Sequence, residues 1–152
     1  MTLRWVIELS AIKNKSSRIE TIAWGAKVSQ TFRDRVVWCA DALSVPVDYL
    51  MAVMAFESAE TFRADIKNFA GSGATGLIQF MPSTARRLGT SVEALASMSP
   101  EDQLNYVYKY FRPYKGRLKT LSDVYMAVLW PAAIGKPDDF VLWDKQSRPT
   151  TY

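Results

Sequence analysis

The sequence predicts a mostly α-helical domain, α+β in class, with one small β or irregular element near residues 66–80. Three observations carry this. Apolar residues recur at spacings of three and four. Helix-start signals, a Ser or Thr followed by an acid, recur along the second half of the chain. Strand signals are confined to one short stretch.

Ser29 to Leu43 places Phe32, Val36, Cys39 with Ala40, and Leu43 on one face, which is an amphipathic helix. Ser44-Val45-Pro46-Val47-Asp48 is then a turn with a proline start for a second helix, Tyr49 to about Glu57. A short helix from Pro82 to Leu88 has proline at its start and Gly89 after its end. Three later segments open like capping boxes: Thr90 with Glu93, Ser99 with Asp102, and Thr120 with Asp123. Gly76 to Phe80, after a glycine-rich turn, is the one stretch expected to be extended.

A chain of 152 residues is one domain, enough to bury a core. The domain is placed at residues 29–152, with an N-terminal extension over 1–28. Within that extension Lys13 to Arg18 is a basic interruption between apolar patches around Trp5 and Trp24. It reads as a segment packed on the domain or as a basic arm.

Composition excludes several chemistries. With no histidine there is no Ser-His-Asp triad, no Cys-His dyad and no histidine-ligated zinc. The single cysteine, Cys39, cannot form an internal disulfide and reads as a small buried apolar residue. A net charge of +4 suits an anionic polymer, nucleic acid or bacterial cell wall, without choosing between them. No apolar run reaches the roughly 18 residues of a membrane helix. Glu8 falls too early for a signal-peptide core, so the expectation is a protein without a signal peptide, exported by another route.

Gly71-Ser72-Gly73-Ala74-Thr75-Gly76 matches a dinucleotide fingerprint letter for letter, but Pro82 stops any helix begun at Gly76. Its glycines instead allow a tight loop to approach something closely. Glu57 ends an apolar stripe with Leu50, Val53 and Met54 at i, i+3, i+4 and i+7. Beside apolar surface a carboxyl holds its proton to higher pH, as a general acid requires; the alternative is a solvated or paired helix end. Tyr106, Tyr108, Tyr110, Phe111 and Tyr114 alternate with Lys109, Arg112, Lys115, Arg117 and Lys119. This segment is either a stacking surface for a polymer or a helix face packed on the core beneath solvated cations.

Several words stand out together: Glu57-Ser58, then Gly73 through Ala85, then Leu88-Gly89, with looser matches at Pro100 to Gln103, Tyr110-Phe111 and Tyr125 to Ala133. Over about residues 30–135 they resemble the lytic transglycosylase domain of the soluble type, in the lysozyme-like superfamily (glycoside hydrolase family 23), most closely its phage and prophage versions. The resemblance implies a lysozyme-like fold and Glu57 as catalytic acid/base. Ser58 resembles the residue that orients the carboxylate or neighbouring substrate. Gln79, with the backbone of Gly76 and Leu77, resembles the cleft wall that contacts sugar. Leu77 to Met81, including Phe80, would form the floor, and Tyr110 would pack close to the helix of Glu57. The implied partner is the peptidoglycan glycan strand, cut between N-acetylmuramic acid and N-acetylglucosamine, with no metal or cofactor, no nucleic acid, and a monomeric enzyme. Action on the wall by a phage endolysin or virion-associated protein, delivered by a holin or the virion or made in the host cytoplasm, is implied likewise.

Two departures stand out. The Glu57–Gln79 spacing is about four residues longer than the commonest pattern, and Leu129-Trp130-Pro131-Ala132-Ala133 stands where the family has Ala-Tyr-Asn-Ala-Gly. Trp130 can serve as an aromatic wall for a sugar ring, whereas Pro131 lacks an amide side chain. The rival readings are a hydrolytic lysozyme of the same fold using Glu60 or Asp65 to hold water, a non-catalytic wall-binding or virion structural domain, and a nucleic-acid-binding domain.

Overall fold

The computed structural model describes residues 21–140 except position 138; residues 1–20 of the expected extension, with Trp5 and the Lys13–Arg18 stretch, lie outside the described residues. Six α-helices are present among them: α1 (Gln30–Leu43), α2 (Val47–Glu57), α3 (Pro82–Arg87), α4 (Val92–Ser97), α5 (Pro100–Phe111) and α6 (Leu121–Leu129). Three short 3-10 turns, Gly25–Lys27, Arg112–Tyr114 and Pro131–Ala133, join or flank them. The domain is mostly helical.

The apolar run Leu50 to Ala55 makes α2 the central helix: Leu50, Met51 and Met54 have no exposed surface. Helix α1 packs against α2 and α5, and α6 against α2. Phe32, Val36, Ala40 and Leu43 of α1 meet Leu104, Val107 and Phe111 of α5 in one core. Residues 21–28 pack on this body. Ile22 joins the core, Ala23 N–H donates to Asp48 (3.0 Å), and Arg33 donates to the carbonyls of Gly25 and Val28. Among the described residues no single helix is long and apolar enough to cross a membrane.

Helix starts follow the sequence with one shift. Ser29 and Ser99 accept from the backbone N–H groups of Phe32 and Asp102, and Thr120 with Asp123 makes a complete capping box. The expected Thr90–Glu93 box does not form; Ser91 caps α4 by accepting from Ala94 N–H. Thr90 is already committed. Its N–H donates to Ala85 while Gly89 N–H donates to Arg86, the paired bonds that close α3 around a left-handed glycine.

Gly76 to Phe80 is a correction. It is a tight turn rather than an extended strand, with Gly76 at φ 85° and Gln79 at φ 55°. Thr75 and Phe80 exchange both backbone bonds, Gln79 N–H returns to Gly76, and Leu77 N–H is taken by a side chain, leaving no ladder for a strand to join. The only β pairing among the described residues is the isolated bridges Lys67–Thr75 and Thr75–Phe80.

Cys39 is almost wholly buried, its thiol facing the Leu104 carbonyl. Burial pushes the thiol up to about 11, against smaller opposing effects of a backbone hydrogen bond and the Arg35 charge. Thiolate is the reactive form, so near pH 8 a thiol reagent should modify folded protein about a hundredfold more slowly than unfolded protein. Comparable rates would show that this part of the core opens readily.

Candidate active site

Glu57 is the last residue of α2, and the chain folds sharply behind it. Glu60 N–H donates to Ala55 (2.7 Å) and Ala59 N–H to Phe56 (3.4 Å), with Ala59 in the left-handed region at φ 50°. This is the same closure that ends α3, formed here without glycine. Glu60 (φ 59°) and Phe62 (φ 52°) are left-handed too, so three such residues crowd the five positions after Glu57. Each is disfavoured for an L-residue with a side chain, and such strain gathers where a site demands it. Ser58 holds the bend: it is fully buried, its Oγ accepts from Phe62 N–H (3.0 Å), and its carbonyl accepts from Thr61 N–H and hydroxyl. A hydroxyl used as acceptor keeps one donor for a neighbouring oxygen.

The Glu57 side chain is half-buried. Loss of hydration raises its carboxyl above the ordinary range, and the negative end of the α2 dipole acts in the same direction. Among the described residues no donor and no cation reaches its carboxylate. The other carboxyls close in sequence are opposite in character. Glu60 accepts from Trp24 Nε1 (2.8 Å) and lies 3.7 Å from Lys27 Nζ; Asp65 is held by Arg63 through two bonds of 2.9 and 2.8 Å. Both are held below the ordinary range by these partners. One acid is poised to keep its proton; its neighbours are fixed as anions.

Two tyrosines sense the Glu57 charge. Tyr110 of α5 donates to the Ala127 carbonyl (2.6 Å), which ties α5 to α6. Its phenol is pushed up to about 12, chiefly by burial, with Tyr114 and Glu57 adding and Arg87 opposing. Tyr125 of α6 is also raised, by burial first and then by Glu57. Tyr125 meets Phe56 edge-on at 5.2 Å, and with Ala52, Val53, Leu121 and Ser122 they line an open groove of about 540 Å³ beside the end of α2. Tyr106, Tyr110 and Tyr114 pack against the core, so the aromatic-basic segment takes the core-face arrangement.

The turn expected to contact sugar is attached to the same core. Phe80 meets the Tyr110 ring edge-on at 6.3 Å and is buried with Leu77 and Ile78. Gln79 turns its amide nitrogen inward, donating to the carbonyls of Ile66 (3.2 Å) and Gly76 (3.1 Å), which leaves its oxygen as the group free for a ligand. Met81 is substantially exposed at the start of α3. Between Glu57 and Gln79 the chain forms a loop before this turn. Asn68 closes it through Ala70 and Gly71 N–H groups and carries Phe69, wholly exposed, at its tip. Trp130 stands apart: it caps the end of α6, about a third exposed, with no hydrogen bond or ring contact to Glu57, Tyr110 or Tyr125 among the described residues.

Sequence reasoning assigned no role to Gln103 or Tyr125. The signal for Gln103 is a glutamine four residues before Val107 and eight before Phe111, hence on the buried face of α5. For Tyr125 it is an aromatic within the apolar stretch of α6.

Neither a curated protein nor a solved structure matches the chain significantly. Residues 39–129, about three-fifths of the chain, match the family described as the transglycosylase SLT domain. That span begins in α1, ends with α6, and contains Glu57, Ser58, the Gly76–Phe80 turn and both tyrosines. The chain therefore belongs to the transglycosylase SLT domain family, the lytic transglycosylases that cleave peptidoglycan.

Proposed function

We propose that Glu57 is both the acid and the base of a lytic cleavage at the β-1,4 bond between N-acetylmuramic acid and N-acetylglucosamine. The observation that carries this reading is the isolation of Glu57: a half-buried carboxyl with a raised pKa, while Glu60 and Asp65 are bound to cations and held ionised. Protonated Glu57 donates to the glycosidic oxygen as the bond to C1 breaks, and the acetamido oxygen of the muramic residue closes onto C1. The Glu57 carboxylate then takes the proton of the 6-hydroxyl, O6 attacks C1, and the acetamido group is released. The product is a 1,6-anhydro sugar; no water is consumed and Glu57 ends protonated as it began. A hydrolase that holds its water on a second carboxylate would have to use Glu60 or Asp65, and both are already engaged.

Gln79 and the backbone of Gly76 and Leu77 are the proposed sugar contacts, with Phe80 and Met81 as floor, Tyr110 behind the acid, Ser58 bracing the bend and Trp130 as a more distant wall. The proposed setting is a phage endolysin or virion-associated enzyme, supported by the resemblance of the combined words over about residues 30–135 to phage and prophage versions; purified virions that carry the protein, or lack it, decide between the two. Incubation of purified peptidoglycan with the protein is expected to release anhydromuropeptides, each lighter by one water than the hydrolytic product. Glu60→Gln and Asp65→Asn should each keep this product. Reducing-end muropeptides lost in either variant would instead establish a hydrolase with that residue as its water-holding base.

A further inference from the structure

The side chain of Gln103 is completely buried, 46 positions along the chain from Glu57, in helix α5. A buried primary amide must be satisfied, and this one is satisfied by three different segments. Its oxygen accepts from Leu77 N–H (2.8 Å), and its nitrogen donates to the carbonyls of Ala64 (3.0 Å) and Leu95 (2.9 Å). The chain meets it closely as well: a Cβ at Gly76 would fall 2.3 Å from the Gln103 oxygen and 2.7 Å from its nitrogen. The glycine at φ 85° thus permits both the turn and the approach of the amide.

We propose that Gln103 is a positioning residue for the Gly76–Phe80 turn: by fixing that turn against the Ala64 and Leu95 backbone it sets how firmly the cleft holds a glycan strand, without touching the strand. This rests on the reading that the turn contacts sugar. Leu77 N–H is the only bond from the amide to the turn itself, and it lies two residues before Gln79. Losing it loosens the turn on that side as a unit: the Thr75–Phe80 pair and the Gln79–Gly76 bonds hold it together internally, and its remaining tether is the Ile66 carbonyl, which accepts from Gly76 N–H and the Gln79 amide. Glu57 lies on another element and keeps its own surroundings.

The test is steady-state cleavage of soluble, uncross-linked glycan strands by Gln103→Met, which keeps length and volume and removes the hydrogen bonds. KM should rise about tenfold with kcat within about threefold of wild type, and the pH profile of kcat should not move. A merely structural role would lower the amount of active enzyme, so apparent kcat would fall with KM unchanged; that result overturns the proposal, as does an unchanged KM. Gln103→Asn, with the amide kept but one methylene short, should lie between and serves if the methionine variant does not fold. Gly76→Ala should raise KM from the other side of the contact, and Gly76→Ala with Gln103→Ala should be no worse than the more damaging single change. Additive losses overturn the proposal. Gln79→Ala separates the two ideas. If it raises KM while Gln103→Met does not, the turn contacts sugar and the positioning role is wrong. If neither moves KM, the sugar-contact reading has failed and the positioning role with it.

Discussion

Glu57→Gln is expected to reduce release of soluble products from peptidoglycan by about a thousandfold or more while raising the melting temperature at neutral pH. The first part follows from chemistry: an amide cannot donate the proton to the leaving oxygen or accept one from the 6-hydroxyl, and general acid–base steps contribute about 10²–10⁴-fold. The second follows from linkage. The folded-state pKa of Glu57 lies above its unfolded value because burial disfavours the carboxylate. Below the ordinary carboxylate range both states are protonated and the group costs nothing. As pH rises through the window between the two values the unfolded state ionises first, and stability falls. Above the raised value the loss is constant. Glutamine removes it, so the variant should gain stability near pH 7 and little near pH 4. Thermal unfolding at both pH values, with the cleavage assay, is the measurement. A variant that still cleaves, or that is destabilised at pH 7, would sink the assignment. The alkaline limb of kcat/KM for the wild type should likewise lie above the ordinary carboxylate range.

The stability gain and the activity loss have one structural source. Helix α2 is apolar nearly all round, and its last residue must either reach water or face the core edge. The bend built from Ser58, Ala59, Glu60 and Phe62 turns the chain away at once. Phe62 returns to the core edge-on to Phe32 at 6.1 Å, and Glu60 is tied back to Trp24. Three left-handed residues in a row of five is a costly path, held by contacts on both sides. What it secures is a carboxyl at the end of a buried helix with no neutralising partner among the described residues.

Much of this was legible before the fold was known, and the exceptions have physical reasons. Spacing located α1, the turn with its proline start located α2 two residues late, and the stripe Leu50, Val53, Met54 and Glu57 described an acid against apolar surface. Local chemistry failed where a bond from elsewhere intervened. Thr90 looked like a cap because nothing in the sequence shows that its N–H closes the preceding helix. Leu77-Ile78-Gln79-Phe80 looked extended because a buried apolar turn and a buried strand have the same composition; a glutamine 26 residues away takes the N–H that a ladder needs. Glu60 and Asp65 could be proposed as free carboxylates only while Trp24, Lys27 and Arg63 had no positions. The Thr90 miss concerns a backbone bond and the others concern side-chain bonds; none concerns burial.

Asp123→Ala is expected to cost about 3 kcal/mol of stability, or a fall in melting temperature of roughly 6–12 °C. Its Oδ2 accepts from Lys119 N–H (2.9 Å) and Thr120 N–H (3.0 Å), and its Oδ1 from Gly135 N–H (2.8 Å). One buried carboxylate therefore starts α6 and fastens the turn that follows its end. Alanine leaves three backbone donors without their partner. Asparagine supplies one oxygen but points an amide nitrogen at a donor, so Asp123→Asn should lose about half as much. Burial by itself raises this carboxyl, but the N–H groups of Gly135, Lys119 and Thr120 and the Thr120 side chain outweigh it, so its folded pKa lies below the ordinary value. The sign is opposite to that of Glu57: the contribution is complete above the ordinary carboxylate range and disappears as pH falls through the depressed value. The gap in melting temperature between wild type and Asp123→Asn should be full at pH 7 and narrow in strong acid. Hydrogen exchange gives the local readout: the Gly135 amide should be protected in the wild type and exchange rapidly in either variant. Protection retained at Gly135 would mean that the turn after α6, with Trp130 at its head, is held by something other than Asp123.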